Sequence, residues 1–345
     1  MGGDGGSATV TTCWTDKLGD LQDYATAVKI DPSGDVIVVG RFSGDVDLGG
    51  TKLTAPPPDG GVNYGSFVAR LRKTDGTAVW ARTVGDTGQA DLRGALAVDA
   101  AGRVTIGGLF HGTLADVAGV SALDPMGGGF IARLEGDTGT TLAARALDVS
   151  GGVNFVEQAS DGSYVAAGYY GDYARLGSTP LPTTNSTDIW VARISLDDAT
   201  TVRWATRIGG SGSDTLSALA LSATDDALVT GSLDSAAHVT KLTAANGSVA
   251  WEHTYGGDKP VVTLLGILLG DELAVLGTMS APTSVGGAVL PVDKSAETVW
   301  FGRWAVADGP WPMDRRAAHR ASRARPPAPR DRSPREPCRA ARSGI

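Results

Sequence analysis

Apolar residues in this chain occur in short runs, and many of the runs are rich in β-branched residues, as in Val36-Ile37-Val38-Val39. Gly, Pro, Asp and Ser bound these runs, which is typical of β-strands between tight turns. Asp75-Gly76 and Asn246-Gly247 supply the positive φ that hairpin turns need. No window combines an apolar period of about 3.6 residues with helix caps, so the pattern predicts an all-β protein.

Two motifs recur together along the chain. One is an apolar strand such as Phe67–Leu71, and its further copies begin at Phe130, Trp190, His238 and Trp300. The other precedes each copy and consists of an apolar run, a turn and a strand ending in glycine, at Gly40, Gly108, Gly168, Gly231 and Gly277. With a last strand that often opens with Trp, each unit holds four short strands. This repetition predicts a β-propeller of about five four-stranded blades.

The repeats divide the chain into one large domain and two flanking segments. We expect the propeller over 13–309, with blades at about 23–85, 91–150, 153–210, 214–257 and 260–309. Residues 1–12 are small and polar and predict a flexible spacer. Residues 310–345, rich in Arg and Pro, predict a disordered basic tail. A functional basic arm and a shifted reading frame are alternatives for this segment.

The ends of the repeat array suggest how the ring closes. The segment Trp14–Gly19 matches Trp80–Gly85 and Trp251–Gly256, each with Gly five residues after Trp, so it is a fourth strand with no unit before it. Unit five loses the pattern before its own fourth strand. We therefore predict that strand 14–19 completes blade five, because an unpaired edge strand favours association. The alternative is a fragment of a larger propeller, such as a seven-bladed one.

Charge and cysteine content narrow the possible partners. The chain carries a formal charge of −8, and its last 36 residues hold ten Arg against three acids, so the tail carries +7 and the remainder −15. Such an acidic body argues against a nucleic-acid partner. Cys13 and Cys338 lie outside the repeats and predict no structural disulfide. No apolar run of about 20 residues predicts a transmembrane segment, and no signal peptide is visible.

Several segments resemble a known repeat family. VDAAGRVTIGGLFHGTLADVAG (98–119), FSGDVDLGGTKL (42–53) and FVARLRKTDGTAVWARTVGD (67–86) are similar to bacterial SBBP-type β-propeller repeats of secreted or surface proteins, often lipoproteins. This resemblance implies a propeller, an extracellular or cell-surface location and no defined activity. LTAANGSVAW (242–251) also resembles the tryptophan-docking strand of quinoprotein-type propellers, in which a Trp of each blade packs on its neighbour. We expect Trp80, Trp204 and Trp251 to be equivalent and mostly buried, with Leu142 replacing Trp in unit two.

One cation recurs at the fourth position of the FVARL-like strand in every unit. The set is Arg70, Arg133, Arg193, Lys241 and Arg303. Equivalent blade positions place these residues in a ring. We expect each to pair with an acid of its own or the next blade, or to cover apolar surface with its stem. The alternative is a collar of cations that binds an anion.

Other candidate sites are weaker. Asp45 and Asp47 on a Gly-rich loop could ligate calcium, although solvated acids of a hairpin loop are the favoured interpretation. Glu157 and Glu272 are isolated, and corresponding positions include Lys29 and Ala97, so a paired-acid glycosidase site is disfavoured. Nucleophile elbows, P-loops, HExxH and CxxC motifs do not occur, and the histidines are scattered.

These patterns predict a non-catalytic secreted or cell-surface propeller that acts as a binding or scaffold module. We expect a monomer with no cofactor and with a protein or glycan ligand. The alternative is a propeller enzyme, either a hydrolase or a quinoprotein-like oxidoreductase, with its site on the propeller axis.

Overall fold

The computed structural model describes Trp14, residues 23–55 and 64–85, and 90–255 apart from short gaps. It also describes the backbone of the strands between 264 and 305. The predicted spacer at 1–12 and the predicted tail at 310–345 lie outside the described residues. All regular structure in the described part of the chain is β-strand. Within it, no helix has the length and apolar character needed to cross a membrane.

Five successive groups of strands follow the predicted units. The first contains β1 (Tyr24–Ile30), β2 (Val36–Phe42), β3 (Asp45–Leu48), β4 (Thr51–Thr54), β5 (Gly65–Leu71) and β6 (Ala78–Val84). The second contains β7 (Ala90–Val98), β8 (Val104–Phe110), β9 (Thr113–Leu114), β10 (Val120–Ser121), β11 (Gly128–Leu134) and β12 (Thr141–Leu147). The third contains β13 (Val153–Gln158), β14 (Tyr164–Tyr170), β15 (Asp188–Ile194) and β16 (Val202–Ile208).

The remaining strands form the last two groups. The fourth contains β17 (Thr215–Leu221), β18 (Ala227–Leu233), β19 (Ala236–Leu242) and β20 (Val249–Tyr255). The fifth contains β21 (Leu264–Leu269), β22 (Glu272–Met279), β23 (Thr283–Val285), β24 (Ala288–Leu290) and β25 (Thr298–Ala305).

Each group builds one antiparallel sheet, which we call a blade. Blades one to four contain four strands in the orders β1-β2-β5-β6, β7-β8-β11-β12, β13-β14-β15-β16 and β17-β18-β19-β20, and blade five shows three strands, β21-β22-β25. The hairpins β3–β4, β9–β10 and β23–β24 are separate two-stranded sheets in the inserts after the second strand. First strands of successive blades lie side by side and are therefore the innermost strands. The architecture confirms the predicted all-β propeller of about five blades.

The glycine that ends each second strand has a local structural reason. The first strand opposite it changes register in a β-bulge, for example between Ala25 and Ala27 and between Leu216 and Ala218. A Cβ at Gly40 would lie 2.3 Å from the Tyr24 carbonyl oxygen, and one at Gly231 would lie 1.8 Å from the Thr215 carbonyl oxygen. The backbone of the first strand lies so close that it leaves no room for a Cβ, and the repeat therefore contains glycine at this position.

Apolar layers between consecutive blades form the core. Buried side chains of blades one and two share one cluster, those of blades two and three a second, and those of blades three and four a third. In each junction the later blade contributes an innermost-strand residue that is almost fully covered, such as Leu96 (2% exposed) or Leu219 (6% exposed). The equivalent residue of blade one, Val28, is 61% exposed. Blade one packs on blade two with one face, and its opposite face is therefore exposed at Val28 of β1.

Trp14 packs on another part of that same face. Its ring contacts the cluster of blade one that includes Val38, Phe67 and Leu71. Its Nε1 donates a hydrogen bond to the Lys73 carbonyl oxygen at 3.1 Å. The rest of the predicted strand 14–19 lies outside the described residues.

Candidate functional site

The repeated cations occupy one backbone position in every blade. Arg70 lies opposite Ile37 and Trp80, and Arg193 lies opposite Val165 and Trp204. The other members lie opposite equivalent residues: Arg133 opposite Thr105 and Ala143, Lys241 opposite Leu228 and Trp251, and Arg303 opposite Ala274. The side chain of Arg303 lies outside the described part of the structure.

Arg70 shows how such a cation is held. Its guanidinium lies 3.0 Å from Asp31, 3.0 Å from Asp35 and 2.9 Å from Asp137, which belongs to blade two. Burial alone would raise the pKa of Asp31, but hydrogen bonds from Ser33 and Asp35 and the Arg70 charge bring that pKa below its usual value. Asp31 Oδ1 accepts hydrogen bonds from Ser33 and Asp35, and Asp31 Oδ2 contacts Arg70. Such partners offset the cost of burying a charge.

The described members of the ring are all paired with acids. Arg133 donates to Asp197 of blade three, Arg193 contacts Asp161 at 3.1 Å and Asp225 at 3.6 Å, and Lys241 contacts Asp226 at 3.1 Å. This is the pairing that the sequence favoured over an anion-binding collar. Arg70, Arg133 and Arg193 reach the following blade, so the cation position joins neighbouring blades.

A tryptophan and a cation meet at one carbonyl oxygen of the next blade. The Gly136 carbonyl oxygen accepts hydrogen bonds from Arg70 Nη1 at 2.8 Å and Trp80 Nε1 at 2.7 Å. The Ala244 carbonyl oxygen accepts from Arg193 Nη1 at 3.0 Å and Trp204 Nε1 at 3.0 Å. We call this arrangement the two-donor junction.

Lys73 is the residue of blade one that corresponds to Gly136 and Ala244, since each follows the ring cation by three positions. Its carbonyl oxygen receives Trp14, so Trp14 stands where the tryptophan of a preceding blade belongs.

The tryptophan positions agree with the predicted equivalence except in blade two. Trp204 is 7% exposed, whereas Trp80 and Trp251 are partly buried. Leu142 was expected to replace Trp in unit two, but the register places Ala143 opposite Arg133 and leaves Leu142 46% exposed. That prediction was wrong by one residue, and one residue reverses the face of a strand.

An ion pair joins two innermost strands, and each of its residues lies in the same cross-strand row as the ring cation of its blade. Lys29 Nζ of blade one lies 3.1 Å from Glu157 Oε1 of blade three. Ala97 and Ala220 occupy the same register in blades two and four. Burial raises the pKa of Glu157, and the Lys29 ammonium partly offsets that rise. Glu157 was expected to be isolated, but it is paired with Lys29. Glu272 lies on the second strand of blade five, two residues before Ala274, which is opposite Arg303.

A buried polar network at the junction of blades three and four was missed in the sequence. Asp188 is fully buried and accepts a hydrogen bond from Arg207, while burial and the Asp188 charge raise the pKa of Tyr170 to about 12. Burial also raises the pKa of Asp214, although N–H groups of Gly210 and Asp234 lower it in part. The available signal was the departure of Asp188 from its repeat equivalents, which are Gly65, Gly128 and Ala236.

The calcium candidates accept local hydrogen bonds, and two of the histidines share one blade. Asp45 accepts a hydrogen bond from Thr54 Oγ1 at 2.7 Å, and Asp47 accepts one from the Gly50 N–H at 2.7 Å. Among the described residues there is no group of three or more His, Cys, Asp or Glu that could hold a metal ion. His238 and His253 share blade four, and burial lowers the pKa of His238 to about 4.

Comparisons with known proteins do not assign this chain to a family. No family model matches the chain, and no curated protein matches it. Solved structures with a similar fold include a catalytically inactive virginiamycin B lyase from Staphylococcus aureus with quinupristin, at 11% identity and a TM-score of 0.39 over 83% of this chain and 95% of that one. A glucose dehydrogenase is 12% identical, with a TM-score of 0.36 over 74% and 80%. The Dos1 propeller is 9% identical, with a TM-score of 0.33 over 77% and 70%.

Proposed function

We propose that this protein is a non-catalytic propeller that acts as a binding or scaffold module at the cell surface or outside the cell. The observation that carries the proposal is the Lys29–Glu157 pair on the innermost strands. An enzyme with paired acids on the axis needs carboxylates that converge on a substrate. Here the carboxylate of Glu157 faces an ammonium group, with Ala97 and Ala220 at equivalent positions.

The ring cations support the same proposal. In the described blades, Arg70, Arg133, Arg193 and Lys241 are all engaged with acids, and three of them also contact the following blade. The side chains of these cations are mostly buried as well as paired, so they hold the blades in place and do not reach a substrate. The extracellular location rests on the resemblance to SBBP-type repeats.

Ligand recovery distinguishes this function from the enzymatic alternative. The full-length protein is incubated with a panel of surface glycans and peptides, and bound ligands are recovered and weighed by mass spectrometry. We expect ligands to be retained and recovered unchanged. Cleaved or oxidised products would favour a hydrolase or oxidoreductase, provided that Glu157→Gln abolishes their formation and Glu135→Gln, a matched change in the β11–β12 turn, does not.

A further inference from the structure

An arginine that contacts two tyrosine rings lies at the insert end of blade one, which is the end where the inserts leave the second strands. The Arg41 guanidinium carbon lies 4.8 Å from the ring centre of Tyr64 and 5.8 Å from that of Tyr24. Both distances are within the range of cation–π attraction. Tyr24 is 50% exposed and the Arg41 side chain is 25% exposed, so solvent reaches both members of this contact.

An aspartate of blade two is shared by this arginine and a second one. Asp91 Oδ1 lies 3.4 Å from Arg41 Nη1, and Asp91 Oδ2 accepts a hydrogen bond from Arg93 Nε at 2.7 Å. One carboxylate thus faces two guanidinium groups, which leaves the cluster with a surplus charge of +1. Each guanidinium has five N–H donors, so the two together have more donors than the Asp91 carboxylate can accept. We call Tyr24, Arg41, Tyr64, Asp91 and Arg93 the tyrosine–arginine cluster.

The chemistry of the cluster defines a class of ligand. Aromatic faces bind the apolar faces of flat or ring-shaped groups, and guanidinium groups bind carboxylates through paired hydrogen bonds. The surplus positive charge contrasts with the acidic body of the chain, whose charge outside the tail is −15.

From this combination we infer that the tyrosine–arginine cluster binds a carboxylate-bearing sugar, such as the uronate unit of an acidic polysaccharide. This inference rests on the proposed binding function and names its ligand class. The exposed part of Tyr24 contacts the sugar ring, and Arg41 and Arg93 donate to its carboxylate. Exposed charges act over about 8 Å at physiological ionic strength, so acids of the chain that lie farther than this from the cluster oppose the binding of the uronate only weakly.

Calorimetric titration with a defined probe tests the inference. The probe is a galacturonate oligosaccharide, compared with its neutral methyl ester and with a poly-glutamate peptide of equal charge. We expect the full-length protein to bind the oligosaccharide and to bind the ester and the peptide at least about tenfold more weakly, since a charge-assisted contact is lost or the ring contact is missing. Arg41→Gln should weaken binding by about tenfold or more.

Arg175→Gln is the matched control. Arg175 also stacks on a tyrosine, with its guanidinium carbon 4.7 Å from the Tyr173 ring centre, and it lies 3.5 Å from Asp148, which follows the last strand of blade two. The control should bind within about twofold of the natural protein. Arg93→Gln, at an exposed side chain, provides a second variant if Arg41→Gln does not fold.

Three outcomes would overturn the inference. They are equal binding of the ester or the peptide, equal losses in Arg41→Gln and Arg175→Gln, and no binding of the oligosaccharide by the natural protein. Chromatography of the recovered oligosaccharide tests the proposed function separately. A shortened or unsaturated product would reject the non-catalytic function, even if the cluster binds uronate as inferred.

Discussion

Closure of the ring can be tested at the Lys73 carbonyl oxygen. In the two-donor junctions of later blades, one carbonyl oxygen receives a tryptophan and the ring cation of the preceding blade. The Lys73 carbonyl oxygen receives Trp14, and the ring cation of the blade that precedes blade one in a five-bladed ring is Arg303. We therefore expect Arg303 to be the second donor to Lys73, with strand 14–19 completing blade five.

The expected energies follow from these contacts. A fully buried Trp contributes about 3–5 kcal/mol relative to Ala, so the partly buried Trp14 should contribute about 2–4 kcal/mol. Trp14→Phe keeps an aromatic ring but removes the donor, and Arg303→Gln removes the cation. If both donors share one carbonyl oxygen, the two changes should couple by about 0.5–1.5 kcal/mol in a double-mutant cycle.

Denaturant unfolding of the full-length protein measures this coupling. Trp80→Phe with Arg70→Gln forms the reference cycle, because both donors to the Gly136 carbonyl oxygen are present in the structure. Coupling in the reference cycle but additivity for Trp14 and Arg303 would refute closure through Lys73. Deletion of residues 1–20 should also lower the melting temperature or cause aggregation, because under closure it exposes the edge of blade five. An unchanged melting curve with a monomeric product would favour an open fragment of a larger propeller.

Three further predictions concern the stability of individual blades. Trp204→Ala should lower the free energy of unfolding by about 3–5 kcal/mol, and a loss below about 1 kcal/mol would contradict its role in blade packing. His238 has a folded pKa of about 4 against an ordinary value near 6.5, so the unfolded state binds more protons between these values. Stability should be full above about pH 6.5 and decrease by up to about 3 kcal/mol towards pH 4, and His238→Phe should remove this dependence in urea titrations. Gly247→Ala should destabilise by about 1–3 kcal/mol more than Gly102→Ala, because both glycines have positive φ but only a Cβ at Gly247 meets the Trp204 ring, at 2.4 Å. Equal losses would show that backbone strain alone is responsible.

The fold class could be predicted because each blade has short-range sequence signals and these signals recur along the chain. Strand runs, turn residues and the glycine after each second strand are short-range signals, and their recurrence defines the blades. The recurring cation and tryptophan were visible for the same reason. Their pairing with acids and carbonyl groups of the following blade was foreseen only in outline, since the sequence does not show which side chain reaches which neighbour.

The contacts that differ from blade to blade depended on tertiary structure. The tryptophan position of blade two is an exception. A bulge follows the ring cation in each of blades one to four, and Ala143 lies ten residues after Arg133 as Trp80 lies ten residues after Arg70, so this spacing was readable in the sequence. Lys29 and Glu157 are 128 residues apart and meet only because successive innermost strands surround a common axis. The tyrosine–arginine cluster likewise combines residues from two blades and from four strands or their flanks. Repetition therefore determined the blades, whereas the ring arrangement decided which single side chains meet, because contacts between blades join residues that no local pattern relates.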